Sequence, residues 1–166
     1  IDVDLSDVQR VSPPPGTEGE RTRARPGDVL VSVTAFIASV AVIPEDTSEA
    51  YVNQHTALVR LDTRAVLPRW VAYCLFSRLG QEQFRAALYG GTKDGLSLDD
   101  VRNVVILKPP VDEQRRLTTY LDRRCETVDN FAARVRRGSD TLREYRSALI
   151  SAAVTGKIDV RGEATE

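Results

Sequence analysis

His55 is the only histidine in the chain, so proton-transfer chemistry near neutral pH has a single imidazole to draw on. A hydrolase would need a nucleophile such as Ser32 or Cys74 beside it, with a carboxylate to orient the ring, and no spacing in the sequence links such a set. A lone histidine inside a β pattern reads more simply as a structural hydrogen-bonding residue. No catalytic residue is assigned. The two cysteines, Cys74 and Cys125, form no CxxC pair and stand at no ligand spacing from His55, so no metal or cofactor site is expected. Cys74 lies within an apolar helical pattern and reads as a core residue.

Binding chemistry is better represented. Asn53 and Gln54 carry side-chain amides of the kind that pair with adenine in the major groove, although both can equally satisfy backbone groups at a strand end. Arg21, Arg23 and Arg25 alternate on a short stretch and suit phosphate oxygens, with solubility as the plainer role. Gly90-Gly91-Thr92-Lys93 offers backbone amides, a hydroxyl and a cation, but lacks the spacing of a nucleotide-binding P-loop. Formal net charge is -1, so any basic face must come from segregation of charge. Further arginines do cluster, at 115, 116, 123 and 124 and at 134, 136 and 137, whereas Asp2, Asp4, Asp7, Glu45, Asp46 and Glu49 gather acid near the start.

The elements that must position these groups can be read in order. Ser12 to Arg25 is rich in proline, glycine and charge and reads as an irregular surface loop. Pro26-Gly27-Asp28 is turn chemistry ahead of a buried strand, Val29 to Val33. A short connection carrying hydroxyls, Thr34 to Ser39, leads to a second strand, Val40 to Ile43, ended by Pro44; Tyr51 to Leu61 reads as a third, with Asn53-Gln54-His55 as a polar insert. Pro68 fits the first position of a helix whose apolar face continues to Leu88, with a kink expected at Gly80 and a stop at Gly90-Gly91. Ser97 should cap a short helix through Arg102, and Val104 to Leu107 reads as another buried strand before Pro109-Pro110.

Beyond the two prolines, Asp112 and Glu113 complement the dipole of a long helix that Gly156 should end. From Leu117 to Ala152 apolar residues return in alternating steps of four and three for about five heptads. Leu121, Val128, Val135, Leu142 and Leu149 form one row of the seam; Leu117, Phe131 and Tyr145 belong to the other, which Arg124 and Gly138 interrupt. A helix of roughly 50 Å with such a seam needs a second helix to lie against, unless it folds back at Gly138 into a hairpin.

These residues resemble a known family. Pro109 to Gln114, the heptad helix, and the run Leu142 to Lys157 are similar to the conserved helical region of the specificity (S) subunit of Type I restriction-modification enzymes. RPGDVLVS (25–32), VNQH (52–55) and GGTKDGLSLDDVRNVVILKPP (90–110) match, in order, the second part of a target recognition domain in that family. The resemblance implies a non-catalytic protein without cofactors that binds double-stranded DNA and docks the methyltransferase (modification) and restriction subunits. It also implies antiparallel pairing of the helix with a second S-type helix, supplied in trans or by a missing half of the subunit. Two departures stand out. One recognition domain and one helix are read here, the opening section of the domain being expected in a longer subunit or lost from a shortened half-subunit, and Ala35 and Ala38 occupy a loop where family members often carry glycines and a basic residue.

The expected architecture is therefore α+β: a small mixed target recognition domain over 1–110, a coiled-coil-forming spacer helix over 111–156 and a flexible tail over 157–166. DNA contact is expected of Arg21, Arg23, Arg25, Ser32, Thr34, Asn53, Gln54, Thr92 and Lys93, and helix pairing of Leu117, Leu121, Val128, Phe131, Val135, Leu142, Tyr145 and Leu149. The rival is a truncated relative whose helix only assembles, without DNA readout. No leader or membrane-spanning run is evident, which makes the cytoplasm the default compartment.

Overall fold

The computed structural model describes residues 1–3, 17–89 and 95–158. Ten elements follow in chain order: α1 (Thr17–Thr22), β1 (Arg23–Ala24), β2 (Val29–Ser32), β3 (Val40–Val42), β4 (Ala50–Tyr51), β5 (Thr56–Val59), α2 (Pro68–Phe76), α3 (Arg78–Tyr89), α4 (Leu98–Arg102) and α5 (Val111–Val154). They divide into two compact units, Ile1–Thr119 and Tyr120–Glu166.

The first unit is built on β2. It pairs antiparallel with β3 on one side and β5 on the other, with Val29 opposite both Val42 and Val59 and Ser32 opposite Thr56. Alternation along β2 sends Val29 and Val31 fully into the core, where they meet Val40, Ala57, Val71, Ala72, Leu75 and Phe84. The small Ala72 lets α2 lie close on the sheet, and Pro68 starts that helix as its sequence implies. Residues 1–3 run beside β3, where Ile1 O accepts the Val42 N–H.

Four readings of the sequence change here. The stretch expected as a loop up to Arg25 contains α1 and β1 in its described part, because β1 has a partner, β4, that its local composition does not announce. The single strand expected over Tyr51 to Leu61 is two strands in two different sheets. Asn53 divides them: its Oδ1 accepts the His55 N–H and its carbonyl accepts the Thr56 N–H, a turn that side-chain competition for the backbone favours. The kink expected at Gly80 is a break at Ser77, whose hydroxyl donates to Cys74 O at 2.6 Å and accepts from Gly80 N–H at 3.4 Å. Gly80 is needed all the same, since a Cβ there would stand 2.4 Å from Leu75 O.

Val104 to Leu107, expected as a buried strand, belongs to no sheet, and Val105 and Leu107 are exposed. The side-chain amide of Gln83 stands where a neighbouring strand would be, donating to Val105 O and accepting its N–H, both at 2.9 Å. Trp70 Nε1 donates to Leu107 O at 2.8 Å. One amide and one indole thus satisfy a segment whose apolar run mimics a strand. Ser97 does cap α4, in a reciprocal capping box with Asp100.

Helix α5 opens against the first unit with Gln114 and Thr118 buried, and continues unbroken through Gly138. No hairpin forms. It ends in a Schellman arrangement, with Gly156 at φ +70°, Lys157 N–H donating to Ala152 O and Gly156 N–H to Ala153 O. Among the described residues no helix is long and apolar enough to cross a membrane.

Candidate nucleic-acid interface

The Ser32 end of the three-stranded sheet gathers most of the polar candidates. Ser32 closes β2 opposite Thr56, and the next residue, Val33, donates its N–H to His55 O, which brings the loop after β2 against the turn before β5. Thr34 Oγ1 lies 2.7 Å from His55 Nδ1, and Gln54 Nε2 lies 3.3 Å from His55 Nε2. His55 thus stands between Thr34 and Gln54 in one row of side-chain hydrogen bonds, whose directions follow the imidazole tautomer. It links the loop after β2 to the turn before β5.

Asn53 is placed beside this row, with its side-chain oxygen accepting from His55 N–H at 3.0 Å and from Thr56 Oγ1 at 3.4 Å. It shapes the turn that exposes Gln54. Leu96 N–H donates to Val33 O at 2.8 Å, so the segment following Thr92 and Lys93 is tied to the same end. Thr92 and Lys93 themselves lie outside the described residues. Gly95 is packed so closely that a Cβ would meet Val33 O at 2.6 Å.

The arginines are not gathered at one point. Strand β1 runs antiparallel to β4, and Thr22 O accepts Val52 N–H, so Arg21 precedes the end shared with Asn53. Arg25 belongs to the opposite end, where its carbonyl accepts from Asp28 N–H and its own N–H donates to Asp28 Oδ2. Val29 and Ser32 mark those ends, roughly 10 Å apart along an extended strand. Arg21, Arg23 and Arg25 are all exposed, and Arg23 lies 3.9 Å from both Glu20 and Glu49. Arg23, Arg25, Thr47, Ser48 and Glu49 line an open recess of about 470 Å³.

Sequence reasoning missed the structural roles of three residues, two at this surface and one at the start of α5. Arg60 forms a two-pronged pair with the buried Asp28, at 3.0 and 2.7 Å, and also donates to Arg23 O at 3.1 Å. The hydrogen bond to Asp28 raises the Arg60 pKa above its ordinary value, and the pair fixes the arginine-bearing backbone. The Asp of the Pro26-Gly27-Asp28 turn was legible, but its partner 32 residues on was not. Gln114 anchors α5 through backbone groups of two loops. Phe36 stands on the loop after β2, 89% exposed and with its backbone at φ +52°.

Along α5, Leu121 is half-buried, whereas Val128, Phe131, Val135, Leu142, Tyr145 and Leu149 are exposed. Leu117 is 36% exposed. Arg124 stacks on Tyr120 with its guanidinium 5.5 Å from the ring centre, and the Tyr120 hydroxyl raises its pKa. Among the described residues no group of three or more histidine, cysteine, aspartate or glutamate side chains is placed to hold a metal ion.

No family model matches the chain. Over 165 residues, 98% of this chain and 34% of the relative, it is 19% identical to the Type I restriction enzyme EcoBI specificity subunit of Escherichia coli. A chain from a solved structure on complex assembly and conformational transition of the type I R-M system superposes with a TM-score of 0.65 at 29% identity, covering 80% of this chain and 31% of that one. The HsdS subunit from Thermoanaerobacter tengcongensis shares the fold, with a TM-score of 0.59 at 22% identity over 88% of this chain and 38% of that one. The chain spans about a third of the length of these relatives.

Proposed function

We propose that this homologue of the specificity subunits of Type I restriction-modification enzymes reads sequence in double-stranded DNA and carries no catalysis of its own. The observation that supports this best is the convergence of Ser32, Thr34, Gln54 and His55 at one end of the sheet, in a chain whose fold matches specificity subunits. Arg21, Arg23, Arg25 and Lys93 neutralise phosphates and set the register. Ser32, Thr34, Gln54 and Thr92 meet base edges, with Asn53 shaping the turn.

Helix α5 then pairs through its exposed seam with a second S-type helix, which sets the distance between two readers. Methyltransferase and restriction subunits dock on the assembly, and methyl-donor and nucleotide chemistry belongs to them. This chain contributes binding alone.

Binding to a random pool of duplexes, by the purified chain alone and with its methyltransferase subunit, tests the reading. A selected sequence whose affinity falls steeply with salt is expected. Equal binding of all duplexes, or of none, would sink it. Self-association without any selection would instead favour the rival, an assembly protein that uses only the exposed seam from Val128 to Leu149.

A further inference from the structure

Phe36 is anomalous twice over. The residue is 89% exposed while its neighbour Ile37 packs on the core, and its backbone sits at φ +52°, a left-handed conformation that bulky side chains rarely adopt. Ala38, two residues on, is left-handed as well, at φ +64°. Neither anomaly is explained by packing, because a glycine at position 36 would remove the strain without losing a buried contact.

The loop is nevertheless held firmly. The Ser32 hydroxyl donates to Ala35 O, Ser39 N–H to Phe36 O at 3.1 Å, Ala38 N–H to Ser32 O at 2.9 Å, and Gln81 Nε2 to Ala38 O at 3.0 Å. A hydrogen-bonded loop that carries an aromatic side chain in solvent presents it for contact. Two residues before it, Thr34 bonds to His55, which bonds in turn to Gln54. An aromatic face therefore stands on the loop whose Thr34 joins, through His55, the exposed Gln54 on the turn before β5. In the major groove an A·T pair offers the matching combination, a thymine methyl group beside the donor and acceptor edge of adenine.

Resting on the reading of this chain as a DNA-recognition subunit, we infer that Phe36 is a specificity-determining residue whose ring packs on a thymine methyl group of the recognised sequence. Glutamine and threonine read the polar edge of the same or the adjacent pair. Phe36 supplies the apolar half of the readout.

The test uses the duplex selected by the full chain, and a series of copies in which single thymines are replaced by deoxyuridine, which removes one methyl group each time. At one position the unaltered chain should lose about fivefold in affinity. Phe36→Ala and Phe36→Gly should lose a similar factor on the thymine duplex and be indifferent to deoxyuridine at that position, with non-specific binding unchanged. Both variants should melt no lower than the parent, because the ring is exposed and glycine relieves the left-handed backbone. Variants that bind the selected duplex as the parent does, or a parent indifferent to every deoxyuridine, would overturn the inference while leaving DNA recognition intact. Failure of the parent to select any duplex would overturn both.

Discussion

Gln114, fully buried in the first turn of α5, accepts the Leu67 N–H at 2.8 Å and so binds the start of the long helix to the start of α2. Its amide nitrogen donates in addition to Pro109 O at 2.7 Å and Ala65 O at 3.3 Å. One side chain satisfies backbone groups of both segments that would otherwise be buried without partners. Gln114→Ala should therefore destabilise the first unit by about 2–4 kcal/mol, combining a cavity with unmet polar groups. Urea unfolding measures this, and a loss below about 0.5 kcal/mol would show that the three bonds are not structural.

The two helical glycines should respond in opposite directions to alanine. At Gly80 a Cβ would stand 2.4 Å from Leu75 O and 2.5 Å from Cys74 O, so Gly80→Ala should cost about 1–3 kcal/mol. At Gly138 nothing lies within 4 Å, so Gly138→Ala should stabilise α5 by about 1 kcal/mol. Thermal melts of both variants check the contrast.

The Asp2–Arg69 pair, at 2.6 Å, gives a defined acid response. Chiefly the hydrogen bond from Arg69 holds the Asp2 carboxyl below its ordinary value. A depressed folded-state pKa contributes stability that is present above the unfolded value, about 3.9, and lost as pH falls through the lowered folded value. Asp2 is largely exposed, so the contribution is small and screened by salt. Asp2→Asn should melt below the parent at neutral pH, and the difference should shrink as pH falls through the lowered Asp2 value. A difference that persists in acid would point to another cause.

Replacing Arg21, Arg23 and Arg25 together by alanine should flatten the dependence of DNA affinity on salt by about 0.9 logarithmic units per phosphate contact removed. The ranking of duplexes should not change, because phosphate contacts carry no sequence information. An unchanged slope would remove these residues from the interface.

Thiol labelling should distinguish the cysteines. Cys125 is exposed, whereas Cys74 is half-buried and burial pushes its pKa up, which leaves less thiolate at neutral pH. Iodoacetamide should modify Cys125 first in the native chain, with mass spectrometry of peptides as the readout.

What could be read from sequence was local. The β-branched run from Val29, the proline that opens α2, the Ser97 cap and the acidic first turn of α5 each announce themselves within a few residues. What could not be read depended on distant partners. Tyr51 and Thr56 fall in different sheets because β1 and β2 claim them separately, and Val105 is satisfied by a glutamine 22 residues away. The site followed the same division. Gln54 and Thr34 were visible as residue types, but their link through His55, the clamp of Arg60 on Asp28 and the exposure of Phe36 exist only once the chain is folded.

Helix α5 has buried side chains only at Gln114 and Thr118, within its first turns. Backbone amides there can exchange with deuterium only when the surrounding core opens, whereas those from residue 120 onward are guarded by the helix–coil balance alone. One unbroken helix thus contains two exchange regimes, slow at its start and fast beyond. Coverage of the seam by a second helix would convert the fast regime into the slow one, so the exchange rate of amides around Phe131 and Leu142 reports directly on whether α5 has found a partner.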